Sequence, residues 1–234
     1  MSKNKKTLGV IGGMGPLATA YLAEKLALHS NLATDQEHID LLIHSHPSIP
    51  DRTSYILGNS TESPLPQIIQ TGNTLCHCGA DLIAIPCVTS HYFYQEIVRS
   101  LPVPVVNMPE ETAKEAQARQ LDCVGIMATT GTVKTMVLQN EFTKRNIQTV
   151  LPSQDTQRKV MYLIYDCVKA GKPIDQNCFQ EITGELFEKG AQQVILGCTE
   201  LSVVNTPYYQ TPNTICALDC LAKACLKQLE IPIK

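Results

Sequence analysis

One pattern occurs twice in this chain and restricts the folds open to it. A short apolar strand is followed by a glycine-containing turn and a helix, and later by a Gly-Ala pair, a second apolar strand and a cysteine. The first copy runs from Gly9 to Cys87 and the second from Gly125 to Cys198. Self-similarity of this kind indicates an internal duplication, here with a unit of about 100 residues.

The alternation of strands and helices predicts an α/β fold of two similar domains, related by a pseudo-twofold duplication, in which helices flank parallel-type sheets. The predicted strands cover residues 8–11, 41–45, 81–86, 103–106, 123–127, 148–151 and 193–196. The predicted helices include one after Pro16 and three over residues 64–78, 157–169 and 179–189. Residues 128–132 are predicted as a turn, followed by a helix through Met136, Val137 and Phe142. We expect residues 1–104, with 208–234 packing back on them, to form the first domain and residues 105–207 the second.

Composition excludes several classes of protein. Hydrophobic residues make up 44% of the 234-residue chain, which is enough to bury a sizeable core. The net charge is −3 and the only basic cluster is a short lysine-rich stretch at residues 3–6, which argues against nucleic-acid binding. No apolar run approaches the roughly 18 residues of a membrane span, and no apolar segment typical of a signal peptide follows the first lysines. We therefore expect a cytoplasmic protein with ten reduced cysteines.

Cys87 and Cys198 lie where predicted strands end, and ligands of open α/β sheets bind outside the carboxyl ends of the strands. A lone cysteine in an apolar strand is most often a core residue, and we keep that interpretation for the others considered. These are Cys76, Cys123, Cys167, Cys178, Cys216, Cys220 and Cys225. The matched positions of Cys87 and Cys198 favour a function, and a following helix N-terminus is expected to lower the pKa of a thiol. Two thiols facing opposite sides of one carbon can remove a proton and return one to the other side, which inverts the centre.

Five motifs, GVIGGMGPLAT, IPDRT, PCVTSH, VKAG and LGCTEL, occur in this order along nearly the whole chain. Together they resemble the cofactor-independent aspartate/glutamate racemases, and most of all the aspartate racemase branch. The resemblance implies an active site in a cleft between two α/β domains, an amino-acid substrate, no cofactor and no metal, and a homodimer. It also implies that Cys87 and Cys198 are the acid/base pair. Glu200 in the last motif fits the aspartate branch, because glutamate racemases usually have a histidine there.

The same resemblance implies a set of substrate-binding residues. Arg52 in IPDRT matches the substrate arginine of the family, and its planar guanidinium can bind a carboxylate at two points. Lys169 in VKAG matches a substrate-binding lysine, although a cation near a helix C-terminus is favourable in itself. The further candidates are Met14, Val88, Thr89, Thr130, Gly131, Thr132, Thr199 and Glu200. Backbone N–H groups at Met14, at Gly15 and at residues 130–132 are expected to favour an anion at helix starts.

Several of these residues have a simpler structural interpretation. Thr89, Thr199 and Glu200 are as well suited to capping a helix as to binding a substrate. Two interpretations of His91 are open: it orients a residue of the site, or it lies on the surface of a helix. Val88 stands where the family usually has an asparagine, so a polar side chain next to the proposed base is missing and the preferred amino acid is left open.

Other functions fit parts of the sequence. Gly13 to Ala18 match a dinucleotide fingerprint, but the acidic Asp40 lies at the wrong end of the second strand. The CHC and HSH triplets lack the spacing of a closed zinc site. A non-catalytic amino-acid-binding protein and a glutamate or broad-specificity racemase stay open. Hydantoin racemase and maleate isomerase also use paired cysteines, whereas IPDRT with GCTE favours the amino-acid racemases.

Overall fold

The computed structural model describes residues 5–205 and 213–234 of the chain. Within these residues the chain forms two compact units, the first from Met1–Met108 and Leu218–Lys234 and the second from Pro109–Ala217. In the described part, no helix combines the length and the apolar character needed to cross a bilayer.

The first unit contains a parallel sheet of three strands in the order β2-β1-β3. Its strands are β1 (Thr7–Gly12), β2 (Asp40–Ser45) and β3 (Leu82–Ala84). Its α-helices are α1 (Pro16–His29), α2 (Arg52–Leu57), α3 (Leu65–His77) and α4 (Tyr94–Ser100), and a 3₁₀ helix spans Thr89–Phe93. The predicted strand at 103–106 forms only an isolated bridge from Val105 to Ile83, because the two prolines flanking Val103 cannot donate hydrogen bonds to a ladder.

The second unit repeats this order and adds one strand, giving β5-β4-β6-β7, all parallel. Its strands are β4 (Cys123–Met127), β5 (Gln148–Val150), β6 (Gln193–Leu196) and β7 (Thr214–Cys216). Its α-helices are α5 (Met108–Ala118), α6 (Thr130–Thr135), α7 (Val137–Thr143), α8 (Gln154–Tyr162) and α9 (Gln176–Glu188). A π-helix continues α8 over Leu163–Val168, and a 3₁₀ helix covers Thr199–Asn205. After β7 comes α10 (Ala217–Gln228), which belongs to the first unit from Leu218 onward.

The boundary of the second unit and one of its helices differ from the sequence prediction. The chain is predicted to return to the first domain at residue 208, whereas the first unit resumes at Leu218. The reason is that β7 pairs with β6 and therefore belongs to the second unit. Residues 206–212 lie outside the described residues. The helix predicted through Met136 is two helices, since Met136 adopts φ 57° between α6 and α7.

Each unit ends its sheet-covering helix in the same way. Gly79 after α3 and Gly190 after α9 have φ values of +97° and +95°, in the left-handed region. The next N–H in each case donates a 3.0 Å hydrogen bond to a carbonyl in the last helical turn, that of Leu75 or Leu186. Glycine adopts this conformation without the steric strain of a Cβ, which explains the Gly-Ala pair in both copies.

The strand that begins each copy also carries a glycine at the corresponding position, Gly9 in β1 and Gly125 in β4. A Cβ added to Gly9 in β1 would lie 2.8 Å from the Cβ of Ala80, and one added to Gly125 in β4 would lie 3.2 Å from that of Ala191 and 2.9 Å from that of Leu186. The helix end therefore packs directly on a side-chain-free position of the central strand. This construction brings the following strand, and the cysteine after it, to the same place in each unit.

Replacing the helix-ending glycines tests this account. Gly79→Ala and Gly190→Ala should each lower the free energy of unfolding by about 1–2 kcal/mol, because alanine is strained at positive φ. Gly184→Ala is the matched control, since Gly184 lies inside α9 with open space around it. It should raise stability by about 0.5–1 kcal/mol through helix propensity. Urea unfolding monitored by circular dichroism measures all three, and equal effects at Gly79 and Gly184 would contradict the account.

Candidate active site

Cys87 lies just beyond β3 with its backbone held from two sides. Its carbonyl accepts hydrogen bonds from Ser90 Oγ at 2.7 Å and from His91 Nδ1 at 2.9 Å. The residue is only 6% exposed. The short 3₁₀ helix that follows thus fixes where the thiol is attached to the chain.

His91 links this loop to the start of α5. Its Nε2 accepts the Met108 N–H at 3.2 Å, so the proton sits on Nδ1, which donates to Cys87. Burial lowers the pKa of His91, and the ring is neutral at neutral pH. His91 is therefore a buried residue bonded to the Cys87 carbonyl and not a helix-surface histidine.

Arg52, the first residue of α2, is buried in the first unit. Its guanidinium donates to the carbonyls of Ile49 at 3.2 Å, Pro50 at 3.0 Å and Met14 at 3.3 Å. The arginine thus joins the start of α2 to the glycine turn after β1, and it brings Met14 and Arg52 together. It is not the solvated loop residue that an arginine in a polar segment usually is.

The glycine turn itself is closely covered. A Cβ on Gly13 would lie 2.4 Å from backbone atoms of His46, and the Gly13 N–H already donates to Thr19 Oγ1 at 2.9 Å. Asp40 lies at the amino end of β2. This packing leaves no approach at Gly13 for the pyrophosphate of a dinucleotide, whose recognition depends on such an approach.

Cys198 follows β6 and belongs to a polar cluster within the second unit. Its Sγ donates to Glu200 Oε2 at 2.8 Å, and Thr199 Oγ1 donates to the same oxygen at 3.3 Å. Lys169 Nζ lies 3.9 Å from Glu200 Oε1 and 4.5 Å from the centroid of the Tyr165 ring. The structure therefore brings together three predicted site residues, Thr199, Glu200 and Lys169, around the second cysteine.

Electrostatics around Cys198 oppose the expected ionisation. Burial and then the Glu200 carboxylate raise the pKa of the Cys198 thiol well above its ordinary value, while the Lys169 ammonium acts in the opposite direction. The prediction that the following helix start lowers the pKa of this thiol is wrong for the protein without substrate. The reason is that the next residues place a carboxylate beside the sulfur.

The turn after β4 is also more occupied than predicted. Thr132 N–H donates to Thr129 Oγ1 at 3.2 Å, and Thr130 N–H points to Met161 Sδ at 3.2 Å. With two of the three N–H groups of residues 130–132 paired inside the unit, less of the predicted anion site is available. The helix begins at Thr130, within the segment predicted as a turn.

The remaining candidates in the first unit surround Cys87. Val88 is 2% exposed and Thr89, the first residue of the 3₁₀ helix, is 6% exposed. No group of three or more potential metal ligands occurs among residues 5–205 and 213–234. Two residues that contact the candidates were not predicted from the sequence: Thr129, which accepts the Thr132 N–H, and Tyr165, whose ring lies beside Lys169. In the sequence, only their closeness to residues 130–132 and to Lys169 pointed to them.

His91 makes the first unit sensitive to acid. Its pKa is lower in the folded protein than in the unfolded chain, whose ordinary value is 6.5. Below about pH 6.5 the unfolded chain therefore binds an additional proton, and stability present at neutral pH is lost as pH falls, by up to about 1.4 kcal/mol per pH unit.

In His91→Gln this acid dependence should become shallower, whereas the exposed His77→Gln should leave it unchanged. Urea unfolding between pH 7.5 and pH 5 measures the slope. A slope in His91→Gln as steep as in the parent would contradict a neutral, buried His91.

Three comparisons relate this geometry to known proteins. Residues 11–224 match the model of the family described as Asp/Glu/Hydantoin racemase. The chain is 27% identical over 226 residues to the broad specificity amino-acid racemase RacX of Bacillus subtilis (strain 168), covering 93% of this chain and 95% of that protein.

Solved structures share the fold. The aspartate racemase of Picrophilus torridus has a TM-score of 0.84 and 29% identity, covering 98% of this chain and 96% of that one. A glutamate racemase from Francisella tularensis subsp. tularensis SCHU S4, solved with D-glutamate, has a TM-score of 0.68 and 18% identity, covering 97% and 82%. The repeated α/β units and the extent of the family match lead to one conclusion: this chain belongs to the Asp/Glu/hydantoin racemase family of isomerases.

Proposed function

We propose that this protein is a cofactor-independent amino-acid racemase that interconverts L- and D-aspartate by proton transfer between Cys87 and Cys198. One observation carries the proposal: each copy of the duplicated unit presents a cysteine, 6% exposed, just past the carboxyl end of the corresponding strand. The names of the relatives support it, since one is an aspartate racemase and another a broad specificity amino-acid racemase. We propose further that it acts as a homodimer in the cytoplasm.

The reaction requires the two sulfur atoms to face opposite sides of the substrate α-carbon. One cysteine, as thiolate, removes the α-proton, and the electron pair of the C–H bond moves toward the α-carboxylate. The other cysteine, as thiol, then gives its proton to the opposite face of the carbon. The substrate leaves inverted and the two cysteines have exchanged protonation states, so the protons balance without a cofactor.

Charged groups are needed because the intermediate carries additional negative charge on the carboxylate. In our proposal Arg52 and Lys169 bind the substrate carboxylates. Arg52 already holds three backbone carbonyls, so this role requires its guanidinium to serve the loop and the substrate together. Met14, Thr89, Gly131 and the hydroxyl groups of Thr130, Thr132 and Thr199 are proposed as further contacts.

A broader specificity is the second candidate. Val88 places an apolar side chain next to Cys87, on one wall of the proposed substrate site. The relative in Bacillus subtilis is named a broad specificity amino-acid racemase. An apolar wall favours a substrate with a less polar side chain than aspartate. A panel of L-amino acids therefore serves as the first assay.

Removing either thiol tests the acid/base pair. Cys87→Ser and Cys198→Ser should each lower racemisation by about 10²–10⁴-fold, because a serine hydroxyl is a far weaker acid than a thiol. Cys123→Ser, at the start of β4, is the control and should keep the parent rate. The assay incubates each L-amino acid in deuterated water and follows loss of the α-proton by NMR and inversion by chiral chromatography.

The assay runs after dialysis against a chelator and without pyridoxal phosphate. Full racemisation by either serine variant, or a requirement for added metal or pyridoxal phosphate, would refute the proposed pair. Exchange without inversion from a single enantiomer would identify the side that the remaining thiol faces, and we expect Cys198 to serve the L-enantiomer.

Val88→Asn tests the substrate. An amide hydrogen bond to charged aspartate contributes about 1.5–3 kcal/mol, so kcat/KM for aspartate should rise about ten- to a hundred-fold. Val88 is 2% exposed, so the buried amide is also expected to lower stability by about 1–3 kcal/mol wherever it finds no partner. Val88→Ala removes bulk without adding an amide and is the matched control. An equal gain in both variants, or no gain in Val88→Asn, would show that the amide has no such role.

A further inference from the structure

The Glu200 carboxylate is directed at the catalytic thiol of its own unit. It is 5% exposed, and its Oε2 accepts from Cys198 Sγ at 2.8 Å and from Thr199 Oγ1 at 3.3 Å. Its Oε1 is buried without a hydrogen-bond donor among the described residues and lies 3.9 Å from Lys169 Nζ. Of its contacts with Cys198, Thr199 and Lys169, the one with the thiol is the shortest.

This geometry favours one protonation state of Cys198. A neutral thiol donates to the carboxylate, whereas a thiolate at the same 2.8 Å would place two negative charges side by side in a buried site. The π-helix packed against this loop carries Tyr165, Asp166 and Cys167 and is followed by Lys169. On β7 lies Cys216, whose Sγ donates to Ser202 Oγ at 3.2 Å. Lys169 Nζ lies 3.9 Å from the carboxylate, farther than the thiol does.

We propose that Glu200 is a positioning residue that acts on Cys198, holding the resting thiol protonated and making its thiolate strongly basic during turnover, and that it is not a ligand of the substrate ammonium. The raised pKa of Cys198 agrees with this placement. The catalytic consequence rests on the proposed racemase function, whereas the effect on the thiol does not.

The consequence concerns both directions of the reaction. When Cys198 gives its proton to the α-carbon, the new C–H bond leaves a thiolate beside Glu200. In the reverse direction that thiolate removes the α-proton, and the S–H bond forms again. The α-proton of an amino acid is weakly acidic, so a base made stronger by a neighbouring carboxylate is better matched to it. Lys169, on the far oxygen of Glu200, moderates the repulsion in the thiolate state.

The experiment measures alkylation of Cys198 by iodoacetamide as a function of pH. The reagent forms an S–C bond with the thiolate and releases iodide, so the pH midpoint of its rate reports thiol ionisation. Peptide mass spectrometry separates the cysteines in the parent protein, in Glu200→Gln and in Lys169→Met. The exposed Cys78 is the internal reference for the reagent, and the buried Cys216 reports any loosening of the second unit.

In Glu200→Gln the midpoint for Cys198 should move to lower pH, with several-fold faster alkylation at pH 7.5 and unchanged Cys78 and Cys216. In Lys169→Met it should move to higher pH, which tests the inference independently if the glutamine variant folds poorly. An unchanged midpoint in Glu200→Gln, or faster alkylation of Cys198 and Cys216 together at the parent midpoint, would overturn it.

Steady-state kinetics separate this inference from the proposed function. Glu200→Gln should shift the pH profile of kcat/KM in the same direction as the alkylation midpoint. A raised KM with the parent alkylation midpoint would instead assign Glu200 to the substrate ammonium and overturn the inference. A parent without racemase activity would refute the proposed function, while the alkylation result would still decide the role of Glu200.

Discussion

In each unit the end of a sheet-covering helix packs directly against a glycine of the central strand. A Cβ on Gly9 would lie 2.8 Å from the Cβ of Ala80 in the first unit, and one on Gly125 would lie 2.9 Å from the Cβ of Leu186 and 3.2 Å from that of Ala191 in the second. Because the helix end cannot move outward without losing this contact, the strand that follows it is aligned beside the central strand. The cysteine after that strand then lies at the carboxyl edge of the sheet, where α/β proteins bind their ligands.

The duplicated framework gives the two cysteines equivalent places but different surroundings. The Cys87 contacts involve its carbonyl, which Ser90 and His91 hold. The Cys198 contact involves the sulfur itself, which donates to Glu200. A reaction that passes a proton from one thiol to the other does not require equal acidity in the two. It requires that each thiol be available in the state that the substrate enantiomer demands, and different surroundings allow each to be adjusted separately.

Arg52 illustrates how a residue proposed to bind the substrate can also support the loop that carries it. Its bonds to the carbonyls of Ile49, Pro50 and Met14 connect two loops at the same edge of the sheet. A buried guanidinium held in this way loses little conformational freedom when it meets a carboxylate. The same bonds mean that substitution of Arg52 affects the loop as well as any ligand, so stability and turnover need to be measured together.

The sequence by itself determined the α/β class, the duplication, most strands to within a few residues and the matched places of Cys87 and Cys198 after their strands, because apolar periodicity, glycine turns and repeated motifs are local signals. It could not determine which apolar residues of α1 face inward: Leu17 and Leu28 are 45% and 52% exposed, whereas Leu22 is buried. Only the tertiary structure placed Arg52 on backbone carbonyls, His91 on the Cys87 carbonyl and Glu200 against the Cys198 thiol. The pKa of that thiol rises because burial and a neighbouring carboxylate disfavour the thiolate, and both depend on residues brought together by folding.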